Sequence, residues 1–386
     1  MNKVMLPNYN RSILNLIVSI LKYYNVDSKY SGLEEIDKIL QNDYKNIVMV
    51  ILDGMGENII KQNSPDGLFY KNKLCNITSV YPSTTTAAMT TYYSGKPPIE
   101  TGWIAWSQYF KEYGKNIDVF PEVDDTTGEP LKIKDMKISD IIGYKPIYSQ
   151  ILEKNDDLMV CEIMPSYVKK KTALTITADT IDEMCKGIEN LCQTEKQSFI
   201  FAYCDNPDGI IHHTGCYSNE TKEFIKETEN RFTNLVEKLK GTNTLLLISA
   251  DHGHHDTKEK ISMLDLPEIQ ECLTMPPSLE SRMISFNVKE NKKDKFKQAF
   301  ESRFKDKYKL FTKEELLQSH LLGYGKEHRK IDDFLGNFIA IAISDTTIIL
   351  ENYLRREIHG EDRKISTHCG LTQDEMEVPI IMFDLK

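Results

Sequence analysis

The eight cysteines include no C-x-x-C pair, which removes the usual sequence mark of a structural zinc knuckle. They are scattered from Cys75 to Cys369. A large chain with no export signature is expected to keep them as free thiols in a reducing, cytoplasmic compartment. No apolar run reaches the roughly eighteen residues of a membrane span. The stretch Ile13 to Leu21 is interrupted by Asn15 and Ser19, and no small-residue cleavage site follows it. It reads as an amphipathic helix rather than a signal peptide. Acidic residues outnumber basic ones, 58 to 48. The net charge of −10 disfavours stable nucleic-acid binding but still permits a small anion at a metal site. No arginine lies between Arg11 and Arg231. Neither a G-x-x-x-x-G-K-[ST] loop nor a G-x-G-x-x-G is present, so P-loop and Rossmann readings lose their main support.

What is present alternates between strand and helix patterns. NIVMVIL (46–52), SFIFAYC (198–204) and NTLLLISA (243–250) are continuous apolar runs, as expected of strands buried on both faces of a parallel sheet. VPIIMFDL (378–385) is a further strand that would close the sheet. Residues 219–240 carry Phe224, Phe232, Leu235, Val236 and Leu239 on one helical face, with Asn219 as the expected N-cap. Such alternation predicts an α/β fold with a central, mostly parallel sheet flanked by helices. Residues 257–365 differ in pattern. They combine strand signals with a helix bearing Phe296, Phe300 and Phe304 and a Thr312–Glu315 capping box. The expected organisation is a core of 1–256 and 366–386, interrupted by a cap-like α+β insertion at 257–365. Residues 107–140 read as a polar loop.

Four acid or histidine signals stand at strand ends, where open α/β sheets place their ligand sites. Asp53 follows the first strand and precedes two glycines; a plain Asp-Gly turn would also explain it. Asp208 and His212 are four apart and share a face if the segment is helical, a donor pair suited to zinc. Asp205 and His213 lie beside them without that relation. Asp251 and His252 end an apolar strand abruptly, with His254 and His255 as supporting or exposed neighbours. His368 precedes the last strand, and a lone histidine is often structural. Together these six side chains and one hydroxyl match the donors that two zinc ions, or other divalent metals, require. Three carboxylates and one ionised hydroxyl would balance two divalent cations.

The hydroxyl comes from YPSTTTAAM (81–89), which leads into a short helical pattern at 87–95. A threonine at such an N-terminus faces backbone N–H groups and the positive end of the helix dipole. The segments LDGMG, YPSTTTAAMTTYYSGKPPIETG, YCDNPDGIIHH, SADHG and THCGLTQDEMEVP, in this order over residues 46–384, resemble the alkaline phosphatase superfamily. Within it they resemble the type I phosphodiesterase/nucleotide pyrophosphatase family. The resemblance implies one metal held by Asp208, His212 and His368, and a second by Asp53, Asp251, His252 and the nucleophile. Counting from Pro82 in the family's motif makes that nucleophile Thr85, with Thr84 and Thr86 as cap and packing residues. It also puts Trp106 near the family's phosphate-binding asparagine, leaving the backbone N–H at Thr85 or Thr86 as an oxygen donor.

The implied activity is hydrolysis of phosphodiester or pyrophosphate bonds in a small anionic substrate, through a threonyl-phosphoryl intermediate. Trp103 and Trp106 are offered as a stacking surface for a base or ester group, with core packing as the alternative. Monoesterases commonly add an arginine at the non-bridging oxygens. The arginine-free window therefore favours diesters over the rival set of phosphomonoesterase, phosphonate hydrolase or phosphomutase, unless an arginine such as Arg282 enters from the insertion.

Overall fold

In the computed structural model, residues 3–131, 137–168, 174–362 and 364–386 are described. The centre is the Asn46–Leu52 strand, buried along its whole length. It pairs in parallel with Ser198–Cys204 on one side and Thr244–Ser249 on the other. Met159–Met164 and Thr175–Thr177 continue the parallel sheet beyond Ser198–Cys204. The last strand, Glu377–Leu385, does not close an edge as expected. It inserts antiparallel between Thr244–Ser249 and Lys73–Thr78, and the sheet has seven strands. The chain is thus α/β with a mostly parallel sheet. Helices flank it: Ile13–Tyr23 packs on Thr85–Ser94, and Ile181–Cys192 on Asn219–Leu239.

Two helices depart from expectation in instructive ways. Ile13–Tyr23 is not half-exposed; every residue from Ile13 to Leu21 is buried. Its two polar interruptions are satisfied in place. Asn15 Oδ1 accepts from the Ser12 N–H (2.9 Å), and Asn15 Nδ2 donates to Ser31 O (2.9 Å). Ser19 Oγ donates to Asp37 Oδ1 at 2.5 Å. A polar group buried with its partners loses little relative to water, so the helix can sink completely. The long helix starts one residue earlier than expected, capped by Ser218, whose Oγ accepts from the Thr221 N–H at 3.1 Å.

A second sheet, all antiparallel, also has seven strands. The 257–365 segment supplies Ser278–Glu280, Met283–Phe286, Tyr308–Thr312 and Phe338–Ala342. Three further strands come from the segment read as a loop: Ser107–Phe110, Lys115–Asp118 and Val123–Asp124. They join through the Leu279–Ser107 pairing, so 257–365 does not build this layer alone. Each is too short for its alternation to show in sequence, yet Phe110 and Ile117 are fully buried. On the opposite end of the layer, Phe296, Phe300 and Phe304 of the Lys293–Phe304 helix are buried as expected.

Two ties bind the layers. His255–Asp256 pairs antiparallel with Ser366–Thr367 at the base of the insertion. The fully buried Arg282 forks onto Glu375, with Nε 2.6 Å from Oε1 and Nη2 2.9 Å from Oε2. Its remaining N–H groups donate to Thr346 O (3.0 Å) and Ser344 O (2.8 Å). Glu375 in turn accepts from the Gly370 N–H (2.7 Å) and the Thr372 hydroxyl (2.6 Å). Arg282 is therefore a structural tie that holds the loop after His368. Removing one partner of such a pair strands a buried charge. Glu375→Ala is expected to lower unfolding stability by about 3–5 kcal/mol, whereas Arg282→Met with Glu375→Leu should recover most of it. Urea unfolding checks both; equal losses in the two variants would refute the account.

Candidate active site

Asp53, Asp208 and Asp251 follow the C-terminal ends of three neighbouring parallel strands. The register aligns Ile51 with Ser249, so two residues on Asp53 and Asp251 emerge side by side. Asp53 is 2% exposed and Asp251 is fully buried. The turn between them is tight. Gly54 has φ +71°, and a Cβ there would come within 2.8 Å of His254 and 3.0 Å of the Asp208 backbone. A glycine is required both for the backbone conformation and for the approach. Its N–H donates to Asp251 Oδ1 at 3.0 Å.

The histidines are oriented by their Nδ1 atoms. His252 Nδ1 donates to Gly253 O (3.0 Å), His212 Nδ1 to Ser366 O (2.7 Å) and His368 Nδ1 to Ser83 O (3.1 Å). A carbonyl only accepts, so each ring carries its proton on Nδ1 and offers a bare Nε2 inward. His252 Nε2 lies 3.3 Å from both Asp53 Oδ1 and Asp251 Oδ2. His212 Nε2 is 3.4 Å, and His368 Nε2 3.7 Å, from Asp208 Oδ1.

Thr85 opens the Thr85–Ser94 helix, with Thr84 as N-cap. Its Oγ1 stands 3.4 Å from Asp53 Oδ1 and 3.2 Å from His252 Nε2. All seven expected residues thus converge. Two groups have donor atoms within 4.8 Å of one another: Asp53, Asp251 and His252; and Asp208, His252, His254 and His368. His212 stands beside the second group.

The electrostatics fit a cation. Burial pushes the Asp53 carboxyl well above the carboxylate range, and Asp251 and Asp208 push it further. Burial also raises Asp208, but His212, His254 and His368 together pull it well below. Burial drives His212 down to about 3 and, with His252, holds His368 far below its ordinary value. Burial thus disfavours a proton on the Nε2 of His212 and His368, which suits both rings to coordination. Asp251 Oδ2 is buried without a hydrogen-bond partner. Neutral imidazole nitrogens and carboxylate oxygens around an unpartnered buried oxygen make a donor set for divalent metal.

Of the residues around this set, the sequence weighed His254 as supporting or exposed and did not single out Tyr203 or Glu280. His254 is fully buried, its Nε2 2.5 Å from Asp208 Oδ1 and its Nδ1 3.1 Å from Ser366 Oγ. Tyr203 donates to Asp53 Oδ2 at 2.5 Å. Its run looks merely apolar; only the Ile51–Tyr203 register places it there. Glu280 lines the cavity above Thr85 and accepts from the Thr84 hydroxyl (3.0 Å) and the Trp106 N–H (2.6 Å).

That cavity has a volume of about 440 Å³ and reaches Thr85, Asp208, His212 and His368. Trp106 lines it and is 41% exposed. Trp103 does not: it packs in the core against Phe120 and Tyr144, and its Nε1 donates to Ile142 O at 2.5 Å. The stacking role offered for Trp103 is therefore corrected to core packing. Asp205 is held by the Tyr167 hydroxyl at 2.7 Å, and His213 is exposed.

The family model for type I phosphodiesterase / nucleotide pyrophosphatase matches residues 47–362. No curated protein matches the chain. Among solved structures, the fold is similar to murine ectonucleotide pyrophosphatase/phosphodiesterase 5, an inactive threonine-to-alanine variant in complex with AMP (TM-score 0.65, 16% identity, 86% of this chain and 87% of that one). The human form of that protein gives a TM-score of 0.60 at 16% identity, with 87% of each chain covered. Phosphonoacetate hydrolase from Sinorhizobium meliloti 1021, in complex with phosphonoformate, gives 0.61 at 13% identity, covering 87% of this chain and 89% of that one.

A metal that relieves the repulsion between Asp53 and Asp251 must also stabilise the fold, because only the folded chain assembles the site. Chelation is expected to lower the melting temperature, and added Zn²⁺ to restore it. Asp251→Asn should bind less metal by elemental analysis. A melting temperature indifferent to chelator would show that the cluster needs no metal.

Proposed function

The chain belongs to the type I phosphodiesterase / nucleotide pyrophosphatase family, and from that premise we propose that it hydrolyses phosphodiester or pyrophosphate bonds with Thr85 as nucleophile. The observation that carries the reading is the position of Thr85 Oγ1. It lies 3.2 Å from His252 Nε2 and 3.4 Å from Asp53 Oδ1, on the floor of the cavity and at a helix N-terminus. The inactive threonine-to-alanine variant of the murine relative, solved with AMP, supports a threonine in this role.

In this reading Asp208, His212 and His368 hold one Zn²⁺, and Asp53, Asp251 and His252 hold another beside Thr85. When bound, the two cations supply the acidification of the threonine hydroxyl and the polarisation of phosphoryl oxygens. The chain's own groups do the rest. His254 fixes the Asp208 carboxylate, and Tyr203 fixes Asp53. The helix start orients Thr85 Oγ for in-line attack on phosphorus. Backbone N–H groups at Thr85 and Thr86 face the charge that develops on the non-bridging oxygens. The P–O bond to the leaving group breaks as the Oγ–P bond forms, and water then displaces Thr85 from the threonyl-phosphoryl intermediate. Trp106, half-exposed at the cavity, offers an aromatic face to the leaving group. All eight cysteines are free, which supports placement in a reducing, cytoplasmic compartment. No helix among the described residues is long and apolar enough to cross a membrane.

The rival set, a phosphomonoesterase, phosphonate hydrolase or phosphomutase, draws on Arg355 and Lys364 at the cavity. Arg355 is already bound to Asp125, with its carboxylate 3.3 Å away. Arg282, the arginine that was to decide the matter from sequence, is locked on Glu375.

Thr85→Ala is expected to lower turnover of bis-p-nitrophenyl phosphate roughly 10³-fold or more, with the circular dichroism spectrum and melting curve retained. Turnover that survives the substitution would remove Thr85 as nucleophile. With zinc supplied, the wild-type enzyme should hydrolyse bis-p-nitrophenyl phosphate with a higher kcat/KM than p-nitrophenyl phosphate. A large preference for the monoester would move the assignment to the rival set.

A further inference from the structure

Glu280 ends the Ser278–Glu280 strand of the second sheet and projects to the nucleophile's helix. One oxygen does all its hydrogen bonding: Oε1 accepts from the Thr84 hydroxyl at 3.0 Å and from the Trp106 N–H at 2.6 Å. Oε2 accepts no hydrogen bond from the described residues, and Glu280 lines the cavity together with Thr84, Thr85 and Trp106. His252, which touches Thr85, is near enough to act on the Glu280 charge. A carboxylate has thus been brought by the second layer to the wall of a site built for anions.

We infer that Glu280 is a specificity-determining residue, which selects substrates carrying a single negative charge on the reacting phosphoryl group and rejects dianionic ones. The inference rests on the phosphodiesterase reading and deepens it. A diester places one charge at phosphorus and a monoester about two. In this cavity the second charge meets the half-buried Glu280 carboxylate. Beyond the metal ions that the site would hold, the cavity is lined by two cationic side chains, Arg355 and Lys364. Arg355 is held by Asp125, and Lys364 is an exposed side chain whose charge acts on Glu280 itself. The same carboxylate positions Thr84, the N-cap next to the nucleophile, and the backbone of Trp106, so it also shapes the wall that receives the ester group. A carboxylate so placed raises the barrier more for a dianionic monoester than for a monoanionic diester, which is selection by repulsion.

The test compares wild type with Glu280→Gln, which keeps an acceptor oxygen for Thr84 and Trp106 and removes the charge. Both enzymes are assayed with zinc on p-nitrophenyl phosphate and on bis-p-nitrophenyl phosphate. The monoester-to-diester ratio of kcat/KM is expected to rise about tenfold or more in the variant, by relief of one charge–charge repulsion. A merely structural role would lower both rates together and leave the ratio unmoved. Glu280→Asp, which keeps the charge, is expected to hold the wild-type ratio, whatever its absolute rates. A ratio unchanged in Glu280→Gln, with diester turnover present in wild type, would overturn this inference alone. Wild-type enzyme inert towards the diester but active on the monoester would overturn the diester reading and this inference with it.

Discussion

The structure depends on a repulsion. Asp53 and Asp251 emerge in register from adjacent parallel strands, both buried, with Asp208 at the next strand end. Burial, with Asp251 and Asp208 beside it, makes Asp53 costly to ionise without a counter-charge. Much of the surrounding construction answers that problem. Gly54 turns the chain so that its N–H reaches Asp251, and Tyr203 donates to Asp53, while three imidazoles anchored through Nδ1 turn further lone pairs towards the carboxylates and add to the need for a cation. Hydrogen bonds alone do not finish the task, since one Asp251 oxygen is left without a partner. A polar cluster satisfied in every respect but one is a high-stakes arrangement in a low-dielectric interior. It is the state expected of a site whose last component is a cation.

The second sheet closes the site as well as covering it. Ser366, in the short strand pair with His255–Asp256, supplies the carbonyl that fixes His212 and the hydroxyl that meets His254. Ser83, in the turn before the nucleophile, supplies the carbonyl that fixes His368. Glu375, held by Arg282 of the second layer, stabilises the loop on which His368 sits. Disturbance of the insertion therefore propagates to ligand geometry through a few buried polar contacts rather than through general packing. The nucleophile's helix is reached in the same way, by Glu280 on Thr84.

How far the sequence alone revealed this follows from what each residue's role depends on. Strands buried on both faces read as continuous apolar runs, so Asn46–Leu52, Ser198–Cys204 and Thr244–Ser249 were legible, and with them the α/β class. Acid and histidine residues that break such runs are conspicuous, so Asp53, Asp208, His212, Asp251, His252 and His368 were found as a convergent set. The order of strands was not legible, because an apolar run does not state its direction; Glu377–Leu385 is antiparallel and internal. Strands of two to four residues at 107–124 carry too little alternation to be seen. Trp103 and Trp106 are three apart and indistinguishable by composition, yet one packs in the core and the other faces the cavity. Tyr203, His254 and Glu280 act through partners distant in sequence, and such pairings appear only with the register.

Arg282 shows why charge location decides more than charge inventory. Read from the sequence, it was the residue able to give the site a planar, bidentate cation for a dianionic group. In the fold that fork is fully committed to Glu375 and two carbonyls. Apart from the metal ions that the site would hold, what faces a phosphoryl group beside Thr85 is the start of a ten-residue helix, whose dipole offers about half a positive charge at its N-terminus. That is proportionate to one negative charge shared between two non-bridging oxygens, and small against two. The carboxylate of Glu280 reduces it further on the cavity side. With Arg282 and Arg355 both committed to carboxylates, no free guanidinium among the described residues is left to answer a second phosphoryl charge, and that is the physical ground for reading the cavity as a diester site.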